Sequence, residues 1–302
     1  DTPEKISEFL TKVEVVMNEN VYGHKDVKQQ IMRILSKWIS NPTSRGNVIG
    51  IQGSMGIGKT TLVKDGIAKA LGLPFSMIAL GGANDGCFLE GHSYTYEGST
   101  YGKIAEVLIK AGCENPVIFF DELDKVSDTR RGEEIIGILT HLTDASQNER
   151  FNDKYFTDLN IDLSRALIVF SYNDESRINP ILKDRMITIN AKGYDVNEKI
   201  AIAKDYLIPS LLKEFGFKEG DIVCTPEIIK AIISKVEKEE GVRNLRRGLE
   251  CIISWINMHR FVHPIIKTSE FPLLITDKHV DKYINIHNSN SMSKHILHSM
   301  YI

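Results

Sequence analysis

Gly53-Ser54-Met55-Gly56-Ile57-Gly58-Lys59-Thr60 fits the pattern G-x-x-x-x-G-K-[ST] at every fixed position. Val48-Ile49-Gly50-Ile51-Gln52 ahead of it reads as a short buried strand. Thr61 to Leu71 behind it reads as a helix, with Leu62, Ile67, Ala70 and Leu71 free to face a core. The glycines let backbone N–H groups curl around phosphate oxygens, and the following helix turns its positive dipole end to the same anion. Lys59 then reaches the β- and γ-phosphates, and Thr60 offers a hydroxyl to Mg²⁺. A chance glycine-rich turn has no reason to sit between a buried strand and an amphipathic helix. Residues Gly53 to Thr61 are therefore expected to bind a nucleoside triphosphate.

Working outward, strands and helices alternate from Val48 onward. Pro74 to Leu80, Pro116 to Phe120, Ala166 to Phe170 and Met186 to Ile189 read as strands, and Gly102 to Ala111 and Arg131 to Leu142 as helices. Continuous apolar strands separated by helices indicate a parallel sheet covered on both faces, so the expected class is α/β with a five-stranded parallel sheet between helices. After Gly193 the strand signal fades. Asn197 to Glu214, Pro226 to Lys238 and Val242 to Phe261 read as helices, followed by a short element around Leu273 to Ile284. The resulting division is a helical lead-in over 1–46, a nucleotide-binding domain over 47–192, a smaller, mostly helical lid over 193–285 and a polar tail over 286–302. In the lead-in, Thr2-Pro3 reads as a cap followed by proline at the first helical position. A second helix runs from about His24 to Ser40.

Two further strand ends carry chemistry. Val117-Ile118-Phe119-Phe120-Asp121-Glu122 delivers two carboxylates to the carboxyl edge of the sheet, where such sheets bind ligands. There Asp121 suits Mg²⁺ through its water shell, and Glu122 suits the attacking water. Asn173 ends the strand Ile168-Val169-Phe170-Ser171-Tyr172 and can orient that water against the γ-phosphate; alone, a turn Asn is a weak signal. Arg185 precedes the last strand, and a planar guanidinium matches charge spread over phosphate oxygens. Arg243 opens a lid helix from which it could meet the nucleotide.

Taken together, these residues resemble the pattern of AAA+ ATPases. The segments Met77-Ile78-Ala79-Leu80-Gly81-Gly82, Gly91-His92 to Tyr96 and Phe119-Phe120-Asp121-Glu122-Leu123-Asp124-Lys125 look like the ATPase module of Lon proteases. So do Leu182 to Met186, Gly193-Tyr194 and Gly241-Val242-Arg243-Asn244-Leu245, and the resemblance runs from about Asn20 to Asn285. It implies Lys59 and Thr60 as Walker A, Asp121 and Glu122 as Walker B, and Asn173 as sensor 1. It also implies Arg185 as an arginine finger acting on a neighbouring subunit, and Arg243 as the sensor 2 arginine. ATP with Mg²⁺ would be bound between subunits of a homo-oligomeric, hexameric ring. Tyr96, on the Gly- and Tyr-rich segment Gly91 to Gly102, would line the axial pore and grip unfolded polypeptide. Glu97 stands where that family usually has an aliphatic residue, and Tyr94 and Tyr101 add rings nearby.

Composition sets the boundaries of this reading. The chain has 302 residues, 42% hydrophobic and 25% charged, enough apolar material for two domains. Its net charge of −3 opposes a surface built for nucleic acid, the class to which clamp loaders and replication initiators belong. Cys87, Cys113, Cys224 and Cys251 form no C-x-x-C, so reduced thiols are expected, in the cytoplasm or an organelle matrix. No apolar run approaches membrane-spanning length. His259 and His263 have helical i, i+4 spacing without an evident third ligand, and Glu237 to Glu240 reads as a solvated helix end. The chain opens on Asp1, as an excised piece would. Ser289, Ser291, Ser293 and Lys294 lack a glycine-rich nucleophile setting, and no G-x-S-x-G occurs. The chain as given is thus expected to hydrolyse ATP and not peptide bonds, with any Lon-type peptidase domain lying outside it.

Overall fold

The computed structural model describes residues 3–41, 48–83, 85–95, 97–156, 159–262 and 272–284. Thr2, Tyr96, His263 and the tail 286–302 lie outside the described residues. The chain divides into two compact units: Asp1–Ser54 with Gly58–Lys192, and Met55–Ile57 with Gly193–Ile302.

The first unit holds seven strands among its described residues: β1 (Val48–Gln52), β2 (Phe75–Ala79), β3 (Val117–Asp121), β4 (Phe151–Asn152), β5 (Asn160–Ile161), β6 (Leu167–Tyr172) and β7 (Ile187–Asn190). Five of them form one parallel sheet in the order β2-β3-β6-β1-β7, as the apolar runs predict. Buried parallel strands need apolar residues on both faces, and β3 supplies them: Val117, Ile118, Phe119 and Phe120 are all fully buried. Phe120 stacks on Phe170 of β6 with ring centroids 5.1 Å apart. Each such ring stabilises the unit by ~1.5–3 kcal/mol relative to exposure. The helices Pro3–Asn20 and Lys25–Ser40 also belong to this unit, through buried Val13, Met17, Ile31 and Leu35.

Departures from the expected elements are local. The helix after the phosphate loop begins at Lys59, runs as a π-turn over Leu62–Ala68 and closes as α-helix over Lys69–Leu71. β7 starts at Ile187, one residue late, because Met186 is tucked inward. Its Sδ lies 2.6 Å from where a Cβ on Gly50 would stand, a space that only glycine leaves open. The β4–β5 hairpin escapes prediction because two residues a strand carry no periodicity.

In the second unit, Val196–Ile202, Ala203–Leu207 and Ile208–Glu214 follow one another as a continuous helical stretch. Pro226–Lys235 and Arg243–Phe261 are helices, residues 277–284 are helical, and β8 (Ile222–Val223) pairs in parallel with β9 (Leu273–Leu274). Leu211, Ile229, Ile232, Leu249, Ile252 and Ile256 close its core. Asp195 and Glu198 make a reciprocal capping box at the first helix, with bonds of 2.8 and 2.9 Å. The acidic run is not a helix end, since the preceding helix stops at Lys235. The Glu239 carboxylate instead accepts the N–H groups of Asn244 and Leu245 and caps the next helix. His259 packs 5.9 Å from Trp255 and 6.1 Å from Tyr283, which gives that histidine a packing role.

Candidate nucleotide site

β1 delivers the chain to the phosphate loop, and the Gly53 N–H donates to the Tyr172 carbonyl at the end of β6 (3.1 Å). Gly58, the pattern's second fixed glycine, and Gly56, at one of its variable positions, take φ of +87° and +79°, a left-handed conformation that side chains disfavour, so both positions favour glycine for the backbone. The Lys59 ammonium folds back over this loop. It donates to the Gly53 carbonyl, to the Ser54 carbonyl at 3.2 Å and to Asn173 Oδ1 at 2.6 Å. Burial lowers the Lys59 pKa, opposed by the negative charges of Asp121, Asp124 and Glu122. Lys59 thus sits where a polyanion would restore the counter-charge that burial makes costly to lack. Thr60 is half-buried beside it at the helix start, and Thr61 is exposed.

Met55, Gly56 and Ile57, the middle of the loop, belong to the second unit. Within that unit the Val242 N–H donates to the Gly56 carbonyl (3.0 Å) and the Tyr194 hydroxyl to the Ile57 carbonyl (3.0 Å). Burial pushes the Tyr194 hydroxyl well above its ordinary pKa, so it remains a donor. A Cβ on Gly56 would stand 2.9 Å from the Arg243 Cβ, so the start of the Arg243–Phe261 helix lies against Gly56.

Asp121 ends β3, and the next residue, Glu122, turns left-handed (φ 60°, ψ 46°). That turn swings the exposed Glu122 carboxylate over Gly81, where a Cβ would collide with its Oε2. The Glu122 N–H donates to Asp121 Oδ1 (3.1 Å) and to Ser171 Oγ (3.3 Å), and the Ser171 hydroxyl donates to Asp121 Oδ1. Asp124 is 3% exposed; its Oδ2 accepts the Asp174 N–H at 3.3 Å, and its Oδ1 has no partner among the described residues. Sequence reasoning missed Ser171 and Asp124. Neither has a motif of its own, and their partners lie 50 residues away.

Lys59, Asp121, Glu122 and Asn173 are thus brought together at the carboxyl edge of the sheet. Arg185 is engaged elsewhere in its own chain: Nη1 donates to the Thr140 carbonyl (2.5 Å), and Nη2 pairs with Asp144 Oδ2 (3.1 Å). The segment that carries Tyr96 is anchored after it, at Tyr101 and Gly102. Fully buried Asp153, just after β4, accepts the Gly102 N–H (2.8 Å) and the Tyr155 N–H (2.9 Å). Tyr101 stacks on Phe156, with ring centroids 5.8 Å apart.

Among the described residues no group of three or more His, Cys, Asp or Glu side chains could hold a metal. Thr60 and Asp121 supply one hydroxyl and one carboxylate, hard oxygens of the kind Mg²⁺ takes when phosphates complete its shell. No helix among the described residues is long and apolar enough to cross a membrane.

Residues 49–194 match the family model "ATPase family associated with various cellular activities (AAA)". A Lon protease homolog of Acanthamoeba polyphaga mimivirus is 43% identical over 258 residues, covering 85% of this chain and 25% of that protein. The Lon protease of Lawsonia intracellularis is 34% identical over 277 residues, 92% of this chain and 32% of its own length. A mitochondrial Lon protease homolog of Schizosaccharomyces pombe is 37% identical over 243 residues, 80% and 22% respectively. The chain spans about a quarter to a third of these curated relatives. It carries an AAA-family ATPase domain and is related to the Lon proteases along the stretch it shares with them.

Proposed function

We propose that the chain hydrolyses ATP to pull unfolded polypeptide through a homo-hexameric ring, as the motor module of a Lon-like protein. The observation that carries the hydrolytic reading is the bond from Lys59 Nζ to Asn173 Oδ1 (2.6 Å), which joins the phosphate loop to the tip of β6 beside Asp121 and Glu122. Lys59 exchanges its carbonyl and amide partners for β- and γ-phosphate oxygens, and the loop's N–H groups cradle the rest. Released from Lys59, Asn173 orients the attacking water, and Glu122 accepts its proton. Arg185, freed from Thr140 and Asp144, stabilises the charge that develops on a neighbour's γ-phosphate, and Arg243, whose helix begins against Gly56 of the phosphate loop, senses the nucleotide. Thr60 and Asp121 would hold Mg²⁺, which would supply neutralisation of phosphate charge.

The polypeptide-pulling part rests on the kinship with proteins named Lon protease and on Tyr96. Those relatives extend far beyond this chain, so proteolysis is assigned to a peptidase domain outside it. The test is ATPase activity of the full chain with unfolded protein or with DNA added. Unfolded protein should stimulate turnover, and Tyr96→Ala should abolish both that stimulation and the unfolding of a tagged substrate. Stimulation by DNA alone would refute the reading and favour a nucleic-acid-directed ATPase.

A further inference from the structure

Ser171 stands fourth of the five residues through which β6 pairs with β1, opposite Ile51, and at its other side lies the end of β3. It is 1% exposed, in a strand whose other residues are the apolar Leu167, Ile168, Val169 and Phe170 and the buried Tyr172. A hydroxyl in such a position costs free energy unless both its donor and its acceptor are used. Both are used, and both on the same two residues. The O–H donates to Asp121 Oδ1, and the oxygen accepts the Glu122 N–H at 3.3 Å. Glu122 adds its own N–H to the same Asp121 oxygen at 3.1 Å. The three groups close a small ring of hydrogen bonds, with Oδ1 as the shared acceptor.

The ring has two consequences. First, two donors converge on Oδ1, which fixes the carboxylate plane of Asp121 and keeps its other oxygen out of the clamp. Second, Glu122 is one of only two non-glycine residues with positive φ among the described residues, and its N–H is tied at the strained peptide. A left-handed glutamate persists only where its surroundings over-determine it. Ser171 is the part of those surroundings that comes from another strand.

We propose that Ser171 is a positioning residue for ATP hydrolysis: through one hydroxyl it orients Asp121 toward the bound cation and holds the turn that aims Glu122 at water. The proposal rests on the reading of Asp121 and Glu122 given above. Ser171 is buried and spends its hydroxyl on Asp121 and Glu122, so the residue acts through these two neighbours, as outer-shell partners of metal ligands do.

The experiment compares Ser171→Ala and Ser171→Thr in the full chain, measuring kcat, the KM for ATP and the Mg²⁺ concentration for half-maximal turnover. Loss of an outer-shell donor costs about 10- to 100-fold in metal affinity or activity. Ser171→Ala should therefore lower kcat and raise the Mg²⁺ requirement by that order while leaving the KM for ATP unchanged at saturating Mg²⁺. Ser171→Thr keeps the hydroxyl on a β-branched side chain suited to a strand and should restore most of kcat. A purely structural role would not move the Mg²⁺ requirement selectively. The proposal is overturned if Ser171→Ala keeps wild-type kcat and Mg²⁺ dependence, or if Thr is as impaired as Ala. Glu122→Gln, assayed alongside, separates the two levels: its unchanged turnover would overturn the reading of the site, whatever Ser171 does. Magnesium-dependent ATP binding, measured calorimetrically, gives the same comparison without turnover, and an Ala variant with wild-type binding enhancement by Mg²⁺ would count against the clamp.

Discussion

Replacing Asp153 by alanine should destabilise the first unit by an amount the structure lets one work out. The side chain is fully buried, and its two oxygens serve two backbone donors, Gly102 N–H at 2.8 Å and Tyr155 N–H at 2.9 Å. Nothing else replaces these acceptors: Gly91, at φ +78°, is so close that a Cβ there would lie 2.8 Å from Asp153 Oδ1 and 2.7 Å from the Gly102 nitrogen. An alanine leaves the Gly102 N–H buried and unpaired, at about 1–3 kcal/mol, whereas the part-buried Tyr155 N–H regains water and loses less. Relief from burying a carboxylate offsets roughly the smaller Tyr155 loss, so the net cost is ~1–3 kcal/mol. Asparagine keeps one acceptor but turns an N–H₂ toward the other donor, and should fall between. Urea denaturation measures the cost, and amide hydrogen exchange at Gly102 and Tyr155 locates it. A loss below about 1 kcal/mol, or rapid exchange of both amides in the unmodified chain, would refute the reasoning.

Three other outcomes follow from named contacts. Gly81→Ala should leave stability nearly unchanged, because the atom it meets is the movable end of Glu122, yet should lower turnover by displacing that carboxylate; wild-type turnover would show that its seat over Gly81 is irrelevant. Burial pushes the Cys224 thiol up to about 12, so its thiolate is scarce at pH 8 and rises only as pH approaches that value. Iodoacetamide should label Cys224 far more slowly in the folded chain than in denaturant, and equal rates by mass spectrometry would contradict its burial. Arg185→Ala removes a partly exposed ion pair worth at most about 1 kcal/mol of stability, yet should cut turnover ~10³-fold or more. Mixing it with Lys59→Ala subunits should recover activity, and no recovery would exclude action on a neighbour.

Much of the fold was legible because the sheet is built from uninterrupted apolar runs. Val117–Phe120 and Leu167–Phe170 announce buried strands, and the phosphate loop is bracketed by one strand and one helix. Elements of two residues, such as β4, β5, β8 and β9, offer no period to detect. The site was legible wherever chemistry coincides with a strand end, as at Asp121 and Asn173. It was illegible where a polar residue works through a distant partner. Ser171 looks like an interruption of an apolar strand, and Asp153 like a loop aspartate, until folding sets each against groups about 50 residues away. Glu239 misled for a local reason: its charge lies after one helix and caps the next, whose N–H groups are five and six residues on. The contacts of Arg185 with Thr140 and Asp144 were equally invisible, since a guanidinium before a strand carries no sign of what it bonds.

The central claim is that Glu122 activates water for ATP hydrolysis at this site. The direct measurement is phosphate release at saturating ATP and Mg²⁺ from the full chain and its Glu122→Gln variant, with bound ATP quantified in parallel. The glutamine keeps the size and the left-handed turn while removing the base, so turnover should fall by about 10²–10⁴-fold with ATP retained. Turnover by the glutamine variant at the rate of the unmodified chain would contradict the account.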